Sequence, residues 1–312
     1  NNHIFHTVLV RLMSFWFGEE NSIAIRFPTL LFGLASLWVI YGLALELFNS
    51  KLIAITALLI ATINPIHIHY SQTARGYGLI IFFSSAMALL ALKIFRSEKF
   101  LLSGILITIC GFLSVYTIPT NIYFLIGLGG WVLSVFIIPD PNKLFFKNKN
   151  DRKKKCIVFI KITIAIATLC FIAYGHLLNQ ILETIKKTTF LNPIRAESDW
   201  NSVTVLIPEI LARIFPDKLL FFLPLIVISY FYKNSLNHSH KSLPLFIIFL
   251  PFLILLISGV GGYPRNYLYN FPILIILMAA GMATLGNLCG QFFKNIEVAR
   301  WVTLGVCLFY CL

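Results

Sequence analysis

Apolar residues in this chain come in long blocks rather than at a short alternating period. Stretches nearly free of charge fill positions 27–48, 52–70, 77–95, 100–116, 122–138, 156–178, 219–232, 243–260 and 267–285, and a further apolar run begins at Trp301. A helix needs about 20 such residues to cross about 30 Å of hydrocarbon. Each block therefore predicts a spanning helix, with 219–232 the shortest. The alternation that marks a barrel strand is absent, and in lipid the backbone must satisfy its own hydrogen bonds. The pattern predicts an all-α integral membrane protein. It is a multi-pass helical bundle of about nine spans plus a truncated tenth, forming one domain over 1–312.

Positions 3–17 read differently. His3, Thr7, Arg11 and Ser14 recur at helical spacing on one polar stripe, while Ile4, Phe5, Val8, Leu9, Leu12, Phe15 and Trp16 supply apolar surface. This predicts an amphipathic helix lying on the outer membrane surface. On spacing alone, His3 and His6 are ordinary interface residues.

Composition agrees with the blocks. The chain is 58% hydrophobic and 12% charged with a mean hydropathy of +0.85, far from the soluble range of about 25% charged. Charge also orients it. With the N-terminus outside, most Lys and Arg residues fall on the cytoplasmic side, including Lys51, Lys93, Arg96 and the 143–155 cluster. Most outer cations lie in the single long loop 179–218, where charge counts least. The net charge of +13 thus reads as cytoplasmic anchoring, not as a nucleic-acid surface. None of the six cysteines falls in an outer loop, so no disulfide framework is expected. No spacing resembles a metal site, no cofactor motif is present, and metal dependence stays open. Residue 1 is not Met and Leu312 lies within an apolar run, so a piece of a longer protein is expected, incomplete at both ends.

Two polar clusters stand at the outer ends of spans. The first runs Asn64-Pro65-Ile66-His67-Ile68-His69-Tyr70-Ser71-Gln72-Thr73-Ala74-Arg75-Gly76-Tyr77. The planar fork of Arg75 suits an anionic headgroup. The same residues equally suit an interfacial turn, with Tyr70 and Tyr77 in the aromatic belt and Arg75 snorkelling. The second cluster is Gly261-Gly262-Tyr263-Pro264-Arg265-Asn266-Tyr267, a tight turn that opens a span, where free N–H groups favour an anion. It too reads equally as a belt anchor.

The ordered set of an amphipathic outer helix, then Gly18-Glu19-Glu20, Arg26-Phe27-Pro28, Leu47-Phe48, Asn64-Pro65 and His69 through Tyr77, resembles a known family over roughly the first hundred residues. It is similar to the membrane glycosyltransferases related to protein O-mannosyltransferases and the lipid A aminoarabinose transferase. These type C enzymes take sugars from polyprenyl phosphate. Arg265 ahead of Phe271-Pro272 also fits. The surface helix departs from the family's His-Pro-Pro, having Asn1-Asn2-His3-Ile4-Phe5-His6. The family's catalytic aspartate follows an earlier span and has no counterpart here, so no catalytic residue is assigned.

The resemblance implies transfer of a sugar from a polyprenyl-phosphate donor to a glycan, lipid or protein hydroxyl, on the extracytoplasmic face of the cell (inner or plasma) membrane. It implies His3, His69, Tyr70, Gln72, Arg75, Tyr77 and Arg265 as substrate-binding residues. The loop 179–218, with Trp200 and Arg195, Glu197 and Asp199, would cover the sugar or admit the acceptor. This fragment alone is expected to be inactive. Two rival readings are an O-antigen polymerase or ligase and a lipid or polysaccharide transporter. A transporter should show internal repeats and broken helices, and the sequence shows neither clearly.

Overall fold

The computed structural model describes residues 3–19, 21–97, 100–138, 145–175, 208–209, 219–231, 238–258 and 264–311. Every element among them is helical. In order they are α1 (Ile4–Phe17), α2 (Ser22–Phe48), α3 (Lys51–Ile63), α4 (Pro65–Gln72), α5 (Tyr77–Arg96), α6 (Leu101–Thr117), α7 (Ile122–Ile137) and α8 (Lys149–Tyr174). Then follow α9 (Leu219–Ile228), α10 (His238–Ser258), α11 (Phe271–Phe292) and α12 (Ile296–Cys311). Short 3₁₀ segments at Pro119–Asn121, Ser229–Phe231 and Pro264–Asn270 precede α7, follow α9 and precede α11.

Side-chain caps place the early breaks. Asn21 accepts from the N–H groups of Ile23 and Ala24 at the start of α2. Asn49, at φ 48°, takes the left-handed conformation that ends α2, and Ser50 then caps α3. These groups satisfy backbone donors that a helix start leaves orphaned.

Among the described residues five helices are long and apolar enough to cross a membrane, or six if one bent pair is counted as a span. The five are Ser22–Phe48, Tyr77–Arg96, Pro119–Ile137, Lys149–Tyr174 and Arg265–Phe292. The sequence predicts about nine over the whole chain, and the described residues hold these five or six. The 52–70 block is not one straight helix, because it breaks at Asn64 and α3 and α4 diverge by 59°. The 100–116 block forms α6, whose 17 residues extend about 25 Å at 1.5 Å per residue. The 219–232 block holds a helix of only 10 residues. Positions 243–258 of the 243–260 block lie in α10, a helix of 21 residues. The last helix starts at Ile296, ahead of Trp301. Pro65 opens α4 at the break in the 52–70 block, whereas Pro224 and Pro251 lie within α9 and α10.

Two helices form the middle of the bundle. In α5 and in the segment containing α11, 78% of the apolar window is buried against other helices, but only 11% in α8. Small residues set this close packing, as they do where lipid offers no hydrophobic drive between helices. A Cβ on Gly78 of α5 would lie 2.8 Å from Thr29 Cγ2 and 3.1 Å from the Tyr70 carbonyl oxygen. Gly286 and Gly290 of α11 similarly receive Ala299 and Thr303 of α12.

The bundle has two chemically different ends. At one, Arg96 pairs with Glu46 at 2.8 Å, and Arg152 donates to the Phe136 carbonyl. Buried Lys155 donates to the carbonyls of Phe95 (2.6 Å) and Phe145 (2.9 Å) and to Asp151 (3.0 Å). Cations here neutralise the C-terminal carbonyls of α2, α5 and α7, where helix dipoles favour positive charge. The opposite end carries the start of α1, the 73–76 turn and the Pro119–Asn121 and Pro264–Asn270 segments.

Candidate functional site

The site grows from the break between α3 and α4. Pro65 lacks an N–H and opens α4 at no cost to hydrogen bonding. The buried side chain of Asn64 accepts from the N–H groups of Ile66 (2.9 Å) and His67 (3.3 Å), and donates to the Tyr310 hydroxyl at 2.5 Å. His67 is buried, shares a 2.9 Å hydrogen bond with Ser36 and stacks at 5.7 Å on Phe271. It therefore seats α4 against α2 and α11. The chain then turns through 73–76, where the Arg75 N–H donates to the Thr73 carbonyl at 2.7 Å.

Gly76 lets three segments converge on this turn. A Cβ there would stand 2.4 Å from Thr117 Cγ2 and 3.2 Å from His3 Nδ1. On the α1 side, the His6 Nε2 lies 3.0 Å from the Thr29 hydroxyl, and Thr29 donates to the Arg75 carbonyl at 3.5 Å. With the Thr29 proton directed to that carbonyl, His6 supplies its own Nε2–H to Thr29.

Four aromatic rings run side by side across this end. His3 meets Tyr77 at 5.1 Å, Tyr77 meets Tyr70 at 5.0 Å, and Tyr70 meets His69 at 4.9 Å, all edge to face. In front of the first ring is a cavity of about 610 Å³ lined by His3, His6, Thr7, Val10, Arg11, Ile25, Ala74 and Arg75. Burial pushes the His3 imidazole below its usual range, and the charges of Arg75 and Arg265 push it further. Burial and then His3 lower His6 from 6.5 to about 4. Both imidazoles are thus neutral at neutral pH.

The predicted residues divide accordingly. His3 and Arg75 line the cavity. Tyr77 and Tyr70 are buried behind it, and His69 is exposed at the far end of the ring series. Gln72 is exposed at the end of α4, apart from the cavity. Arg265 is half-buried in its 3₁₀ segment; it does not line the cavity, yet its charge reaches His3. Positions 261–263 and 179–207, with Arg195, Glu197, Asp199 and Trp200, lie outside the described residues.

Sequence reasoning did not assign His6, Thr7 or Arg11 to the site. The signal for Thr7 and Arg11 was their shared stripe with His3, and all three line this cavity although Arg11 stays exposed. Tyr310 and Thr29 carried no sequence signal, being brought in by packing. Among the described residues no carboxylate lines the cavity, Glu19 is exposed, and no group of three His, Cys, Asp or Glu side chains is placed to hold a metal ion. The arrangement offers guanidinium charge and neutral imidazole donors, which is chemistry for holding an anion. No protein-family profile, curated protein or solved structure matches the chain.

Proposed function

We propose that this chain belongs to a membrane glycosyltransferase that moves a sugar from a polyprenyl-phosphate donor to an acceptor hydroxyl at the extracytoplasmic face of the cell membrane. The observation that carries the reading is that Arg75 lines one cavity with His3, His6 and Arg11, and that among the described residues no carboxylate lines it. The motif order from α1 through Tyr77 supports it as well.

In such a reaction the acceptor oxygen bonds to the anomeric carbon as the bond from that carbon to the phosphate oxygen breaks. The departing phosphate gains charge, and fixed guanidinium groups stabilise it more than they stabilise the donor. A base must take the acceptor proton. No described residue of the cavity is a carboxylate, so Glu19 and Glu20 are the first to substitute within this chain. The acceptor is a glycan, lipid or protein hydroxyl.

The test is transfer of labelled sugar from a polyprenyl-phosphate donor by the full-length protein in membranes. Transfer that survives Arg75→Ala and Arg265→Ala at normal insertion would remove the basis of the reading. The broken α3–α4 pair favours a second reading, a transporter, because unwound or broken helices build such sites. Donor translocation across proteoliposomes without sugar transfer would support that alternative.

A further inference from the structure

We propose that the cavity between α1 and the 73–76 turn holds two phosphoryl groups side by side, with Arg75 on the first and Arg11 on the second. This rests on the reading that Arg75 holds a lipid-borne phosphate. Arg11 and Arg75 come from separate elements yet line one space of about 610 Å³, within the range of about 300–1,000 Å³ usual for small-molecule sites. Among the described residues neither guanidinium is paired with a carboxylate, and none lines the cavity. Arg11 and Arg75 together bring two positive charges to this space, more than a glycosyl monophosphate, which carries one negative charge, neutralises. Two phosphoryl groups balance it. His3 and His6, neutral by burial, add hydrogen-bonding groups without competing charge.

The ligand reaches this space from the lipid side. Val8, Leu12 and Trp16 of α1 are exposed, and they lie around the helix from Thr7 and Arg11. An apolar helix face next to a cationic cavity suits a headgroup whose chain stays in the bilayer. Two sources share this chemistry: one lipid diphosphate, or a donor phosphate beside a phosphorylated acceptor lipid.

The test is calorimetric binding of farnesyl phosphate and farnesyl diphosphate to the full-length protein in detergent micelles. One diphosphate per protein, bound about tenfold or more tighter than the monophosphate, identifies a diphosphate. Two monophosphates per protein identify the paired source. In either case Arg11→Ala should remove the advantage or the second equivalent, while leaving the first monophosphate within about twofold. Arg11→Lys should restore it in part, and Arg26→Ala, which lies outside the cavity, should change nothing. If Arg11→Ala leaves both ligands unchanged, or weakens both equally, the second phosphoryl subsite does not exist. Loss of the first site is read separately, from Arg75→Ala and Arg265→Ala on the monophosphate, so failure of the functional reading is distinguishable.

Discussion

His6 and Thr29 share a buried hydrogen bond of 3.0 Å, and Thr29 passes it on to the backbone of Arg75. That pair ties α1 to α2 and to the turn bearing the cationic site. Because His6 is depressed from 6.5 to about 4, its contribution depends on pH. The group must be neutral in the folded state, so the stability it supplies is complete above about pH 6.5. It falls as pH drops from there toward about 4, where the unfolded chain binds more protons. Amide exchange over α1, corrected for intrinsic rates, should therefore accelerate between pH 7 and pH 5. In His6→Phe the exchange should be faster at pH 7 and less dependent on pH, the remainder coming from His3, whose imidazole burial lowers as well. Equal protection at both pH values in the wild type would refute this role of His6.

Removal of Arg75 or Arg265 should slow transfer by roughly tenfold to more than a hundredfold, since charge-assisted hydrogen bonds contribute about 1.5–3 kcal/mol each. Arg75→Lys should recover only part of the loss, keeping the charge but not the fork. Binding and turnover of the donor, measured separately in the full-length protein, check this. Unchanged values for both alanine variants would mark the two arginines as belt anchors.

Asn64 is expected to carry the α3–α4 break. Asn64→Ala leaves two N–H groups of α4 uncapped and should cost about 1–2 kcal/mol. Tyr310→Phe removes one partner and should cost about 1 kcal/mol. The double variant should lose less than the sum, because the two residues form one contact at 2.5 Å and neighbouring sites are not additive. Denaturant titration in micelles measures all three. Full additivity would mean that the contact contributes nothing.

Topology provides an independent check. Gln72 and Lys149 are exposed at opposite ends of the bundle, and the positive-inside rule puts Lys149 in the cytoplasm. In a background with the native cysteines replaced, Gln72→Cys should label with an impermeant maleimide in intact cells. Lys149→Cys should label only after lysis. The reverse pattern would invert the proposed orientation and put the cationic cavity on the cytoplasmic side.

What the chain determined by itself is local. Charge-free blocks predict helices because the backbone in lipid must bond within its own segment, and α2, α5, α7, α8 and α11 all lie where such blocks are. The Lys and Arg bias predicted two different ends. Hydropathy does not show where an apolar block breaks, so the 52–70 block read as one span and formed α3 and α4. It also could not foresee the 59° bend or the meeting of Asn64 with Tyr310 of α12. The site was legible as residues but not as a place. Arg75 and Arg265 stood out in their turns, whereas Arg11 read as a surface charge on its own helix. Tertiary packing through Gly76 and Gly78 brings α1, the 73–76 turn and the end of α6 within contact. No periodicity encodes which helix a small residue admits, because that depends on the shape of the partner's surface.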